Sequence, residues 1–177
     1  VGALRFNTDT GKLEYFNGNE YVNITVDSPE RHTGGTRALF GGGYGTSPTA
    51  FRSDEIDFVN VDTTGNASDF GDIAGNYRGV GALASRTRGV FTGGYAPGYI
   101  NTMSFVTIAS TGNVSDFGDL TIPMYHPTTA ASSTRGVITS GESNAPLAQN
   151  NVMCYITIAQ TGNAVDFGDL YNAQRNG

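Results

Sequence analysis

Thr111-Gly112-Asn113-Val114-Ser115-Asp116-Phe117-Gly118-Asp119-Leu120 decides the fold, because the same stretch returns, slightly varied, from Thr64 to Ile73 and from Thr161 to Leu170. The Asp-Phe-Gly-Asp cores begin at Asp69, Asp116 and Asp166, offset by 47 and then 50 residues. Recurrence at that distance marks a whole structural unit and not a local bias of composition. A second marker keeps the same period: Thr36-Arg37, Thr87-Arg88 and Thr134-Arg135 each lead an apolar run ending in glycine, Leu39-Phe40-Gly41, Val90-Phe91-Thr92-Gly93 and Val137-Ile138-Thr139-Ser140-Gly141. The chain is a repeat protein.

Aligning the copies separates constrained slots from free ones. Ile56/Met103/Met153, Val59/Val106/Ile156 and Val61/Ile108/Ile158 are aliphatic or Met throughout, and Phe58/Phe105/Tyr155 is always aromatic. Apolar residues fall on both parities of this run, which predicts a strand packed between neighbouring sheets. Thr-Gly-Asn then supplies a turn, since glycine and asparagine tolerate positive φ. Beyond it, Phe70/Phe117/Phe167 and Ile73/Leu120/Leu170 place large apolar groups on a further short strand. With the Thr-Arg strand and a weaker run such as Val80-Gly81-Ala82-Leu83-Ala84, each unit offers four strands, the size of a propeller blade. The expected units are 36–86, 87–133 and a truncated 134–177, with Phe70, Phe117 and Phe167 buried in equivalent places and Phe58, Phe105 and Tyr155 completing the repeat core.

Residues 1–27 stand outside the repeat. Leu4-Arg5-Phe6, Leu13-Glu14-Tyr15-Phe16 and Tyr21-Val22-Asn23-Ile24 are short alternating runs, separated by Asn7-Thr8-Asp9-Thr10-Gly11-Lys12 and Asn17-Gly18-Asn19, which predicts a small β-meander. Three short strands bury little alone and need a neighbour. Residues 28–35, polar and proline-containing, read as a linker. The fold class expected is all-β: a meander followed by three propeller-type blades. Propellers close with roughly four to eight blades, so the ring is expected to be completed by further sequence or by other subunits.

Three resemblances follow from these residues. The stretch Gly2-Ala3-Leu4-Arg5-Phe6-Asn7-Thr8-Asp9-Thr10-Gly11-Lys12-Leu13-Glu14-Tyr15-Phe16-Asn17-Gly18-Asn19-Glu20-Tyr21-Val22 resembles a short module of tailed-bacteriophage fibre and appendage proteins, with Tyr21 where that module usually carries tryptophan. The repeats resemble kelch-type propeller blades in plan, through the glycine pair Gly93-Gly94 after an apolar strand, although Phe70, Phe117 and Phe167 stand where kelch blades carry tryptophan. The pairing of an Arg-Gly-Val-Phe-x-Gly-Gly-Tyr strand with Ile-Ala-x-Thr-Gly-Asn-x-x-Asp-Phe-Gly-Asp-Leu is similar to repeats of large structural proteins of marine and cyanobacterial tailed phages. These likenesses imply a virion structural protein, a tail or neck fibre or appendage that displays blades for host attachment or virion assembly. Its partners would be other virion proteins, copies of itself in the trimeric manner common among phage fibres, and a glycan or protein of the host surface. The alternative is a bacterial surface module that binds glycan or protein.

Composition bounds the rest. Charged residues make up 15% of the 177 and the net charge is −6, which argues against binding a phosphate backbone through clustered Lys and Arg. No stretch approaches the roughly 18 apolar residues of a membrane helix. Cys154 is the single cysteine, so no intrachain disulfide forms, and its period-mates Asp57 and Ser104 show that the slot does not demand a thiol. The pairs Asp69/Asp72, Asp116/Asp119 and Asp166/Asp169 have the oxygen chemistry that suits calcium; the competing reading, favoured here, is that they cap backbone amides around a Phe-Gly turn. Asp-Phe-Gly in three copies is not the single metal-binding signature of a kinase. Phe40-Gly41-Gly42-Gly43-Tyr44-Gly45 lacks the Gly-Lys-Ser/Thr of a phosphate loop and reads as a turn. His32 and His126 occupy non-equivalent places, which with a lone cysteine leaves the copper-radical oxidases among kelch-like proteins without their ligand set. No catalytic residue, cofactor or metal is expected. Candidate surface-binding residues are Tyr44, Tyr95 and Tyr99, aromatics expected on glycine-rich loops where a ring can meet sugar or protein.

Overall fold

The computed structural model describes residues 2–24, 36–45, 51–143 and 149–174. The linker expected at 28–35 lies outside the described residues. Every described element is a β-strand, and all strand pairing is antiparallel. The chain divides into two compact units, Val1–Arg31 and His32–Gly177.

The first unit is a three-stranded meander of β1 (Leu4–Asn7), β2 (Lys12–Phe16) and β3 (Tyr21–Asn23). Its two connections are closed by asparagine side chains: Asn7 Oδ1 accepts the amides of Asp9 and Thr10, and Asn17 Oδ1 those of Asn19 and Glu20. A short side-chain carbonyl that mimics the backbone is the reason Asn opens such turns. Glu14 is buried and accepts hydrogen bonds from Arg5 Nε at 2.6 Å and Asn7 Nδ2 at 2.9 Å. The Arg5 guanidinium also lies over Tyr21, 3.8 Å from the ring centre, and Phe16 packs beside the same ring at 5.1 Å.

The second unit holds three sheets. The first comprises β4 (Arg37–Gly45), β5 (Phe51–Asn60) and β6 (Ser68–Tyr77); the second β7 (Gly81–Ala84), β8 (Arg88–Thr92), β9 (Thr102–Thr107) and β10 (Ser115–Asp119); the third β11 (Thr128–Ala131), β12 (Arg135–Thr139), β13 (Asn150–Thr157) and β14 (Val165–Gln174). Each is a simple up-and-down meander. The weak run at Gly81–Ala84 pairs with β8 and not with β6, so it opens the second sheet instead of closing the first. The sheets are therefore phased one strand away from the units 36–86, 87–133 and 134–177, and the first sheet has three described strands where four were expected. The glycine-rich 40–45 segment is not a turn: it continues β4 through a register shift between Gly41 and Gly43.

Asp-Phe-Gly-Asp is likewise no turn. In each copy the register of the last strand slips so that the phenylalanine is the extra residue: Asp57 faces Asp69 while Ile56 faces Gly71, Ser104 faces Asp116 while Met103 faces Gly118, and Cys154 faces Asp166 while Met153 faces Gly168. A bulge re-aims one side chain without ending the strand. Here it turns the ring onto the central strand's aromatic, with centroid distances of 6.0 Å in near-perpendicular geometry for Phe58–Phe70, Phe105–Phe117 and Tyr155–Phe167. On the other side of that aromatic lies the marker arginine: Arg37 over Phe58 at 4.9 Å, Arg88 over Phe105 at 4.1 Å, Arg135 over Tyr155 at 4.7 Å.

The hydrophobic cores lie between sheets. Ile56, Phe70 and Ile73 of the first sheet pack with Phe91 and Val106 of the second. Leu83, Val90, Met103, Phe117 and the adjoining Leu120 and Met124 pack with Ile138, Cys154, Ile156, Ile158 and Ala164 of the third. This explains why apolar residues occur on both parities of the central strand, since in the second sheet both faces are covered. Phe70 and Phe117 are 2% and 1% exposed, as the pattern predicts, but Phe167 is 47% exposed. Its ring points to the face of the third sheet on which no further described sheet is stacked.

Adjacent sheets are also joined by backbone. The amides of Gly112 and Val114 donate to the carbonyls of Phe70 and Asp72 at 2.7 and 3.0 Å, and Asp72 N–H donates to Asn113 Oδ1 at 3.2 Å. One repeat later, Gly162 and Ala164 donate to Phe117 and Asp119 at 2.7 and 2.8 Å, and Asp119 N–H donates to Asn163 Oδ1 at 3.0 Å. Thr-Gly-Asn of one repeat thus docks on the Asp-Phe-Gly-Asp of the repeat before it. The glycine between is required sterically: a Cβ at Gly71 or Gly118, at φ +144° and +136°, would come within 2.5 Å of the Gly112 or Gly162 carbonyl. The marker arginines clamp the same joint, Arg37 Nη1 to Ile108 O and Arg88 Nη1 to Ile158 O, both at 2.9 Å.

Candidate functional site

Tyr44 and Tyr95 each follow a glycine pair in the left-handed region, Gly42-Gly43 at φ +70° and +147° and Gly93-Gly94 at +60° and +119°. In the third sheet the pair is Ser140-Gly141, at +50° and +100°, and the residue after it is Glu142. These three positions are equivalent, and the backbone after the pair is held by a neighbouring segment. Arg78 and Tyr95 exchange backbone hydrogen bonds of 3.2 and 2.8 Å, Tyr125 and Glu142 exchange theirs at 2.9 and 2.8 Å, and Gly94 N–H to Met124 O at 2.7 Å ties the two pairs together.

The result is a cluster about one cation. The Arg78 guanidinium carbon lies 4.9 Å from the ring centres of Tyr44 and Tyr95 and 5.6 Å from that of Tyr125. Tyr95, Tyr99 and Tyr125 touch one another at 5.6–5.9 Å, with Tyr99 and Tyr125 stacked within 15° of parallel. His126 packs on Tyr125 at 3.9 Å, and Arg52 lies 5.6 Å from the Tyr95 ring. The Tyr99 hydroxyl donates to Glu142 Oε2 at 3.2 Å, and Glu142 is buried. Tyr44 is the exposed member, at 52%, and with Phe51, Arg52 and Asn76 it lines an open recess of about 340 Å³. Arg78 Nε is buried without a hydrogen-bond partner among the described residues.

Of the three sequence-derived candidates, Tyr44 and Tyr95 therefore meet at Arg78, and Tyr99 joins them through Tyr95 and Tyr125. Sequence reading missed Arg78, Tyr125, His126, Glu142 and Arg52. A signal for three of them was present, because Arg78 and Tyr125 both stand six residues after the second aspartate of their motif, and Glu142 holds the period position of Tyr44 and Tyr95. Ring faces flanking a guanidinium and open to solvent on the Tyr44 side suit stacking against apolar sugar faces or a planar side chain, with hydroxyls to fix orientation. The paired aspartates are not part of this cluster; Asp69 Oδ1 accepts the Gly71 amide at 3.1 Å, a local capping contact. Among the described residues no group of three or more His, Cys, Asp or Glu converges in a way that could hold a metal ion. Cys154 is fully buried in the core between the second and third sheets, and that burial pushes its thiol above the ordinary value.

No protein-family model matches the chain, and no curated protein is significantly similar to it.

Proposed function

We propose that this chain is a structural protein of a tailed-phage particle, part of a tail or neck fibre or appendage whose propeller-type blades, kelch-like in plan, present a binding surface for host attachment or virion assembly. The observation that carries the reading is the convergence of Tyr44, Tyr95 and Tyr125 on Arg78, with Tyr99 stacked on Tyr125, from segments belonging to successive repeats. A rigid scaffold that gathers aromatic side chains onto loops and strand ends is a common arrangement for recognition. The role in this reading is binding: the carboxylate among the described residues of the cluster, Glu142, is buried and accepts the Tyr99 hydroxyl. The N-terminal likeness to phage-fibre modules supplies the setting, an extracellular virion. The ligand is a host surface glycan or protein, the neighbours are other virion proteins, and neither nucleic acid nor membrane insertion is involved.

Mass spectrometry of purified particles tests the setting: the chain should be present in fixed stoichiometry with the tail proteins. Detection only in bacterial envelopes would favour the alternative, a cellular glycan- or protein-binding module, for which the same tyrosine cluster would serve. Binding of the chain to glycans extracted from host envelopes tests the site. Tyr44→Ala should weaken it about tenfold, as expected for loss of one stacking ring, while an unchanged affinity would remove the cluster from the reading.

A further inference from the structure

The two joints between repeat sheets are built alike, and each uses one surface from either side. The upstream sheet supplies its bulged Asp-Phe-Gly-Asp strand and its marker arginine. The downstream sheet supplies its Thr-Gly-Asn turn, the carbonyl at the slot of Ile108 and Ile158, and an apolar face. Among the described residues of this unit, each surface also occurs once with no sheet stacked on it. On the third sheet, Phe167 is 47% exposed where Phe70 and Phe117 are 2% and 1%, and a Cβ at Gly168 would meet nothing within 4 Å where one at Gly71 or Gly118 would strike backbone at 2.5 Å. Arg135 stacks on Tyr155 like its equivalents, but among the described residues no carbonyl receives its guanidinium. On the first sheet, Phe40 is 59% and Val61 61% exposed, whereas the residues at those positions in the next two sheets, Phe91 and Ile108, Ile138 and Ile158, are at most 7% exposed. The Thr64-Gly65-Asn66-Ala67 turn is exposed throughout, and a Cβ at Gly65 would meet nothing within 4 Å.

We propose that these surfaces are complementary, and that the Asp166-Phe167-Gly168-Asp169 strand is a docking edge for the Thr64–Ala67 turn of a second copy of this chain. The internal joints specify the contact. Gly65 and Ala67 amides donate to the carbonyls of Phe167 and Asp169, Asp169 N–H donates to Asn66 Oδ1, Arg135 donates to the Val61 carbonyl, and Phe40 and Val61 cover the face that exposes Phe167. The second copy is the occupant because its turn, its Asn66 amide and its apolar Phe40 and Val61 match the groups that fit twice within this chain; Asp57 stands in the slot of the buried Ser104 and Cys154, which makes this joint weaker than the internal ones. Such an interface is heterologous, so copies join head to tail into a ring if the rotation closes and a linear assembly if it does not. The docking rests on the repeat geometry alone and holds whether or not the assembly belongs to a virion.

Sedimentation velocity on residues 1–177 tests it with two variants that each spoil one surface. Val61→Glu/Asn66→Ala alters the turn side and Phe167→Asp the strand side; all three positions are exposed, and circular dichroism checks that both variants keep the β fold. Wild type should associate reversibly with concentration through the micromolar range. Each variant alone should associate at least about tenfold more weakly, the effect of losing more than ~1.4 kcal/mol. An equimolar mixture should give a one-to-one heterodimer and stop there, because the intact Phe167 edge of the first variant meets the intact Thr64 turn of the second. A wild-type chain that stays monomeric at several hundred micromolar, variants that associate as strongly as wild type, or a mixture that fails to pair would each overturn the docking.

Discussion

Phe117 and Phe167 have the same motif around them, the same bulge beneath them and the same 6.0 Å contact with the central aromatic, yet one is 1% and the other 47% exposed. What differs is the neighbouring sheet. Truncating Phe117 to Ala removes a ring from a closed core and should cost on the order of 3–5 kcal/mol, whereas Phe167→Ala should cost well under half of that. Guanidinium unfolding of the two variants beside wild type measures both; equal losses would show that Phe167 is packed as tightly as its equivalents. Glu14 offers a separate residue-scale test. Hydrogen bonds from Asn7 and then Arg5 hold its carboxyl below the ordinary value of 4.5, against a smaller opposing effect of burial. A depressed folded-state value stabilises the meander fully above the ordinary glutamate range, and that contribution is lost as pH falls through the folded value. A carboxyl-carbon NMR titration should place Glu14 below the ordinary value, and Glu14→Gln should flatten the acid side of the meander's stability profile. A titration at or above the ordinary value would contradict the hydrogen-bonded triad of Arg5, Asn7 and Glu14.

At the scale of elements, the Asp-Phe-Gly-Asp strand and the Thr-Gly-Asn turn explain why both motifs recur. They are three residues apart in sequence, but their backbone partners belong to adjacent repeats, Gly112 on Phe70 and Gly162 on Phe117. Sequence reading recognises the period and the aromatic slots, because burial between sheets imposes residue type. It cannot see that Phe70, Phe117 and Phe167 are bulged, since a bulge is a register relation with another strand, nor that Gly81–Ala84 pairs forward with β8, since either neighbour offers the same apolar alternation. The meander was legible for the opposite reason: Asn7 and Asn17 close their turns with their own side chains. In the tyrosine cluster, Tyr44 and Tyr95 were legible from their glycine pairs, while Arg78 was hidden because its role depends on rings contributed by other strands. The glycines of the bulge give a controlled experiment. Gly71, Gly118 and Gly168 share φ between +130° and +144°, so alanine is strained similarly at all three, but only at the first two does its Cβ meet a docked turn at 2.5 Å. Gly71→Ala and Gly118→Ala should therefore be more destabilising than Gly168→Ala by about 1–3 kcal/mol, the usual cost of overpacking. Three equal losses by chemical denaturation would leave backbone strain as the sole effect and the joint as incidental.

For the second unit as a whole, stability should follow nearest-neighbour rules, because each core is shared by two sheets and no described core is common to all three. Cys154 reports on one of those cores. It is the chain's single cysteine, fully buried among Met103, Phe117, Ile138 and Ile156, and its burial-raised thiol is a poor nucleophile even when reached. Its period-mate Asp57 is exposed because the first sheet turns that position toward a face that no described sheet covers, which is why one slot accommodates both a thiol and a carboxylate. Labelling of Cys154 by an aromatic disulfide reagent at mildly alkaline pH then measures opening between the second and third sheets. Native protein should react at least about a thousandfold more slowly than unfolded protein, equivalent to an opening free energy of roughly 4 kcal/mol. Phe117→Ala, which loosens that core, should accelerate labelling strongly, whereas Phe70→Ala loosens the core on the far side of the second sheet and should change the rate little. Equal acceleration by the two substitutions, under conditions where both variants remain folded, would mean that the three sheets open together as one cooperative block and that the nearest-neighbour description fails.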